Sequence, residues 1–203
     1  EVTFEEVAGL VPVRIRKEKD KPIWCELRAP EALSLGATVE VERMAAILSL
    51  TPDDIVTMTH QPRVASVGVT FVITELRGRA ALERVQVNTT LLAKLESEGI
   101  RPSLFTYIRS QDDFDIRARM FAPLAGTIED PATGSANCAL VAMLTHYNEA
   151  GSGAFSWRIA QGVEMNRPSF LEARTEKRNG DVTGVWIAGR SVMISEGTLE
   201  FDG

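Results

Sequence analysis

Cysteine is scarce: the 203 residues contain only Cys25 and Cys138. They lie far apart and outside any Cys-x-x-Cys or Cys/His cluster, which argues against a structural zinc site and fits a reducing, cytoplasmic setting. Long apolar runs are also missing. The longest mainly apolar stretch, residues 136–144, is interrupted by Asn137 and falls far short of the roughly 20 residues a membrane helix needs, so no membrane is expected as partner. No cluster of Lys and Arg is large enough to neutralise a run of phosphates, and 22 basic against 28 acidic residues leave a net charge of -6, which sets nucleic acid aside. The first residues, Glu1 to Glu6, lack the basic and apolar regions of a signal peptide. With no methionine ahead of Glu1, the start reads as a cut end.

What is present is ordinary for a globular chain: 44% hydrophobic and 25% charged residues, enough to bury a core without metal or disulfide staples. Val11, Val13 and Ile15 alternate with Pro12, Arg14 and Arg16, and residues 23–27 follow a charged Lys17–Lys21 turn, predicting a β-hairpin. Residues 42–50 turn helical through Met44, Ile47 and Leu48, and Thr51-Pro52-Asp53-Asp54 reads as a capped turn. Residues 64–73 read as one long strand, with Gly68 inside it marking a bulge or a close backbone approach. Asn88 caps a second helix through Leu91, Leu92 and Leu95, and Gly99 ends it. Further strands are predicted from Leu104, through Ile116 to Phe121, and at 155–159, 170–173, 182–188 and 192–195. The charge-dense segments 17–21 and 172–181 are read as solvated turns.

The helix predicted over residues 134–149 differs from the others. From Ala136 to Leu144 it has almost no polar stripe, and a helix apolar on nearly all sides must be enclosed on nearly all sides. Just before it stands Glu129-Asp130-Pro131-Ala132-Thr133-Gly134-Ser135, which puts a carboxylate, two hydroxyls and a glycine at the helix start. First-turn N–H groups have no partners within a helix, so a start facing a crevice suits a substrate carboxylate or a developing oxyanion. Asp130 is then a candidate proton carrier or orienter. The plainer reading stays open: Asp-Pro is a common turn, and Ser or Thr before an apolar run is most often only a cap.

The run 129–135 resembles the Glu-Asp-Pro-(Ala/Val)-Thr-Gly-Ser signature of the PhzF-like (phenazine biosynthesis) isomerase family, whose members are similar in fold to diaminopimelate epimerases. Arg119 to Pro123, Gln161 to Met165 with Arg167-Pro168-Ser169, and Gly189-Arg190 with Ser195-Glu196-Gly197 resemble family blocks in the same order. Asn166 stands where the family pattern has a glycine. The resemblance implies an α+β fold with antiparallel strands wrapped around a central helix in two pseudo-symmetric lobes. Residues 1–30 would be a remnant of the first lobe, 31–189 the second lobe, and 190–203 strand returning to the first. The family's first part, with a catalytic glutamate, has no counterpart in this sequence.

By the same resemblance the intact protein isomerises a small cyclic or unsaturated carboxylic acid, as trans-2,3-dihydro-3-hydroxyanthranilate isomerases do, with no metal or organic cofactor and as a homodimer. Asp130 and Ser135 carry over as catalytic residues, and Thr133, Gly134 and, more weakly, Gly68 as substrate-binding ones. Two rivals stand beside this reading: an amino-acid racemase or epimerase of the same fold, and a non-catalytic binding module. Thr133 occupies the position of a racemase thiol, which counts against the first rival. Cys138 is read as a packing residue, His146 as a cation at a helix C-terminus, and His60 as an exposed loop residue with no metal partners. Trp24, Trp157 and Trp186 are read as sheet packing, and Arg119 and Arg167 are left outside the site as structural ion-pair candidates.

Overall fold

The computed structural model describes residues 1–7, 9–198 and 200. The chain opens with β1 (Val2–Glu6), β2 (Gly9–Arg16) and β3 (Ile23–Arg28), an antiparallel ladder with the predicted hairpin at its centre. Next come β4 (Ser34–Thr38) and α1 (Val41–Leu48), which buries Met44, Ala45, Ile47 and Leu48. Residues Pro52–Asp54 form one 3-10 turn closed by a capping box, since Asp54 Oδ2 accepts from the Thr51 amide at 3.0 Å and its hydroxyl at 2.8 Å.

Strands β5 (Ile55–Val56), β6 (Arg63–Ser66) and β7 (Thr70–Leu76) follow. The single strand expected over 64–73 is therefore a hairpin. Ser66 pairs with Thr70, and Gly68, with φ 134°, occupies the turn rather than a bulge. A short helix that the sequence reading missed, α2 (Arg79–Arg84), precedes α3 (Thr89–Ser97), where Asn88 Oδ1 accepts from the Leu91 amide as an N-cap should.

β8 (Leu104–Arg109), β9 (Ile116–Ala122) and β10 (Thr127–Asp130) lead into α4 (Gly134–Tyr147), and β11 (Gly153–Gln161), β12 (Ser169–Arg178) and β13 (Asp181–Ser191) complete the fold. All strands join one sheet in the order β1-β2-β3-β13-β12-β11-β9-β8-β7-β6-β4, with β10 added on β9 and β5 on β7. Two predicted segments differ. Residues 192–195 form no strand, and Val192, Met193 and Ile194 lie exposed. Residues 172–178, expected as a solvated turn, run inside β12, with Ala173, Thr175 and Lys177 turned inward and Arg174 outward to a bidentate pair with Glu26.

Strand alternation sorts the sheet's residues into two cores. Phe71, Ile73, Phe105, Tyr107, Ala118 and Met120 face α4, whereas Val72, Leu104, Ile108 and Phe121 face α1, α2 and α3 on the opposite side. All ten residues from Ala136 to Thr145 of α4 are buried, as the missing polar stripe requires, and β6, β7, β12 and β13 supply the walls. The far end of α4 is held by Lys177, whose Nζ donates to the carbonyls of His146 at 3.1 Å and Asn148 at 2.7 Å. The dipole partner expected of His146 is thus Lys177, and the His146 side chain is exposed.

A fork in the sheet positions the start of α4. One edge of β9 pairs along its length with β8. The other edge pairs with β11 only as far as Ala118, opposite Gln161, and with β10 from Met120, opposite Asp130. Residues 131–133 turn out of this fork into the helix.

Candidate functional site at the mouth of the buried helix

Asp130 and Thr133 are brought together: the Thr133 hydroxyl donates to Asp130 Oδ2 at 2.5 Å, and both residues are half-buried. Thr133 occupies the N-cap position of α4, yet its side chain makes no capping bond to the helix. The plain capping reading of this threonine therefore fails. Beneath the pair, the fully buried Gln161 side chain bonds to Asp130 O, the Thr133 hydroxyl and the Thr133 amide. Asn137, also fully buried, donates to Thr133 O at 2.9 Å and to Gln161 Oε1 at 2.8 Å.

Backbone packing locks this arrangement from below. Gly162 has φ 74°, and a Cβ there would stand 2.5 Å from Arg167 O and 2.9 Å from both Pro131 Cα and Pro131 O. Only glycine lets the turn after β11 come this close to the Asp130-Pro131 segment. The same turn explains Asn166: it adopts φ 58°, a left-handed conformation that asparagine tolerates better than most side chains. The departure from glycine thus keeps the turn's geometry. On the other flank, Arg119 holds Glu129 through two 2.8 Å bonds while its Nη1 donates to the Leu82 carbonyl. Arg119 is a structural ion-pair partner that fastens β10 to β9 and to the end of α2.

Two clefts meet the start of α4. Ser135 and Gly68 line one of about 470 Å³, together with Val67, Leu27 and the acidic Glu6 and Glu31. The bond from the Glu31 amide to Val67 O, 3.3 Å, ties the segment between β3 and β4 to the turn between β6 and β7. Gly134 lines another, of about 660 Å³, with Ala132, Leu27 and Arg190. The five residues singled out from the sequence are thus neighbours but not one surface: Ser135 and Gly68 share a cleft, Gly134 opens on the next, and Asp130 and Thr133 sit on the rim between β10 and the helix, outside both linings. Cys138 reaches the first cleft but is only 1% exposed, and burial pushes its thiol pKa up to about 12, so it stays protonated at neutral pH. It is a packing residue.

Among the described residues, no group of three or more His, Cys, Asp and Glu is placed to hold a metal ion, and no helix is long and apolar enough to cross a membrane. His60 corrects the expectation of a surface residue. It is 5% exposed, with Nε2 2.9 Å from the Tyr107 hydroxyl and Nδ1 2.8 Å from the Gln61 carbonyl. Gln161 and Asn137 are the site residues that sequence reasoning missed. The available signal was their polarity: Asn137 interrupts an otherwise apolar helix, and Gln161 ends a strand whose preceding residues, Ile159 and Ala160, are buried.

Fold and helix mouth define an α+β class in which one open sheet encloses a single long helix and a carboxylate stands at that helix's start. Within that class the chain belongs to the phenazine biosynthesis-like (PhzF) family, whose family model matches residues 1–197. A protein of Mesorhizobium japonicum named as an uncharacterized isomerase is 29% identical over 177 residues, covering 85% of this chain and 58% of the relative. The trans-2,3-dihydro-3-hydroxyanthranilate isomerase of Pseudomonas aeruginosa is 28% identical over 190 residues, covering 93% and 63%. The enzyme of that name from Pseudomonas chlororaphis is 41% identical over 83 residues, 41% of this chain and 30% of the relative. A PhzF-family phenazine biosynthesis protein from Bacillus anthracis superposes with a TM-score of 0.79 at 22% identity, covering 93% of this chain and 64% of that one. The chain spans 58% of the Mesorhizobium relative and 65% of another uncharacterized isomerase, from Clostridium acetobutylicum.

Proposed function

We propose that the protein containing this chain isomerises a small cyclic or unsaturated carboxylic acid by proton transfer, without metal or organic cofactor, as the relatives named trans-2,3-dihydro-3-hydroxyanthranilate isomerase suggest. The observation that carries the reading is the diversion of the Thr133 hydroxyl from the helix end to Asp130 Oδ2. It leaves the first-turn N–H groups of α4 without a side-chain cap and available to an anion, while one carboxylate is held in place beside them. In this reading the substrate carboxylate lies against Ser135 and the helix start, with Gly68 forming the opposite wall. Asp130 moves or orients a proton at the reacting carbon. A second acid/base group is supplied by the part of the full-length relatives that this chain does not span, and the enzyme works as a homodimer in the cytoplasm.

Racemisation through a thiol pair fits less well, because Thr133 stands at the family position for one thiol and Cys138 is buried and protonated. The test is deuterium incorporation from D2O into trans-2,3-dihydro-3-hydroxyanthranilate by the full-length protein, compared with Asp130→Ala. Exchange in wild type that is lost in the variant is expected. No exchange in wild type defeats the isomerase reading, and α-deuteration of a free amino acid in its place would favour the racemase.

A further inference from the structure

We infer that Gln161 is a positioning residue that acts through Thr133 to leave one Asp130 oxygen, Oδ1, as the atom that exchanges a proton; this rests on the reading of Asp130 given above. The side-chain amide of Gln161 can sit in only one orientation. Its Oε1 faces two donors, the Thr133 amide at 3.2 Å and Asn137 Nδ2 at 2.8 Å. Its Nε2 faces the Asp130 carbonyl at 2.7 Å and the Thr133 hydroxyl at 3.0 Å. Turning the amide over would set N–H groups against N–H groups and oxygen against a carbonyl, so the orientation follows from the partners.

The Thr133 hydroxyl has one hydrogen to give. Because its oxygen accepts from Gln161 Nε2, that hydrogen is directed to Asp130 Oδ2, 2.5 Å away. The polarity of the whole relay is thereby fixed from the interior outward. Oδ2 is engaged by a neutral donor, whereas Oδ1 accepts no hydrogen bond from the described residues. Asn137 shows that the clamp is maintained at a cost: both its amide hydrogens serve Thr133 O and Gln161 Oε1, and its own Oδ1 is left buried without a partner. A buried acceptor without a donor is unfavourable, so Asn137 satisfies the relay at the expense of its own oxygen.

The test reads Asp130 directly, by the carboxyl 13C resonance of protein labelled at aspartate, in wild type, Thr133→Val, Thr133→Ser, Gln161→Met and the Thr133→Val/Gln161→Met double variant. Thr133→Val and Gln161→Met are expected to move the Asp130 resonance by the same amount, the double variant no further, and Thr133→Ser to restore the wild-type position. In the exchange assay Thr133→Val and Gln161→Met should each lower kcat at least about tenfold with KM within about twofold, non-additively, as for groups that act as one unit, while Thr133→Ser stays near wild type. An Asp130 resonance unmoved in folded Gln161→Met, or shifts that add in the double variant, would overturn the inference. Should Gln161→Met not fold, the half-buried Thr133 pair decides, since identical resonances in Val and Ser variants overturn it equally. Wild type without exchange activity condemns the proposed reaction, while the resonances still judge the relay.

Discussion

Gly162 and Asn166 sit in one turn and both adopt positive φ, yet their substitutions should differ in kind. At Gly162 an added methyl meets backbone atoms of Pro131 and Arg167 at 2.9 Å or less, and none of these can swing aside as a side-chain tip would. Gly162→Ala should therefore cost about 1–3 kcal/mol or more, the range for a residue forced into a strained backbone state, read as a lowered denaturant midpoint. At Asn166, which is exposed with φ 58°, only the backbone preference is at issue: Asn166→Ala should cost about 1 kcal/mol and Asn166→Gly close to nothing. Equal effects of Gly162→Ala and Asn166→Ala would mean that the close approach to Pro131 does not constrain the turn. Asp130, Thr133 and Ser135 were legible in the sequence because they fall in one short run, 130–135, that leads into an apolar helix. Gln161 was not, since its partners reach it only through the parallel pairing of β11 with β9.

His60 gives a second prediction at this scale. Burial pushes its pKa below the ordinary 6.5, while the Gln61 carbonyl and the Glu75 carboxylate oppose the shift; Arg109 and Arg63 lower it further. The ring lies roughly parallel to those of Tyr107 and Tyr147, and the Tyr107 hydroxyl stands 2.7 Å from Glu75 Oε2. A histidine whose folded pKa is depressed binds its proton more readily in the unfolded chain. Its contribution is therefore fully present above pH 6.5 and is lost as pH falls through the folded value. The wild type should lose stability between pH 6.5 and 5 by at most about 1.4 kcal/mol per pH unit relative to His60→Gln. A wild-type curve parallel to that of the variant over this window would rule the effect out. The sequence reading placed His60 on the surface because nothing near it in the chain reveals that β7, β8 and α4 close over it.

At the scale of elements, α4 is a buried dipole with one end tied down. Its C-terminal carbonyls receive a cation that is 5% exposed, Lys177, from the facing strand β12. Replacing Lys177 by Met keeps much of the aliphatic stem but leaves two carbonyls without their donor and removes a charge from the favourable end of the dipole. The expected loss is about 1–3 kcal/mol in chemical denaturation, against about 0.5 kcal/mol or less for the exposed His146→Gln. The reverse ranking would make His146 the dipole's partner after all. Elements with a strong period were legible: the β2–β3 hairpin, α1, α3 and above all α4, whose missing polar stripe announced its burial. α2, six residues long, was too short to show a helical period, and the apolar residues on both sides of Gly68 concealed a hairpin turn within what looked like one strand. Charge density at 172–178 suggested solvent, but in β12 charges alternate with small residues and fall mostly on the outer face of the sheet, with Lys177 turned inward to the helix end.

For the whole molecule, the strands between the two cores should set the order in which the structure opens. β7, β8 and β9 are packed on one face by α4 and on the other by α1, α2 and α3, whereas all five residues of β1 are exposed at one end of the sheet. Local opening costs least where few apolar contacts are broken, so amide hydrogen exchange should be fastest in β1, slower in β2 and β3, and limited by global unfolding in β8, β9 and residues 136–145. If α4 exchanged as quickly as β1 while α1 and α3 stayed protected, the core beneath α1, α2 and α3 alone would hold the fold. The Asp130 relay would then rest on a helix that opens independently, and no fixed geometry at its mouth could follow. Protection of α4 at the global limit is thus a condition of the proposed site as much as a statement about stability, because a carboxylate oriented through Thr133 and Gln161 keeps that orientation only while the helix and the fork between β9, β10 and β11 open together.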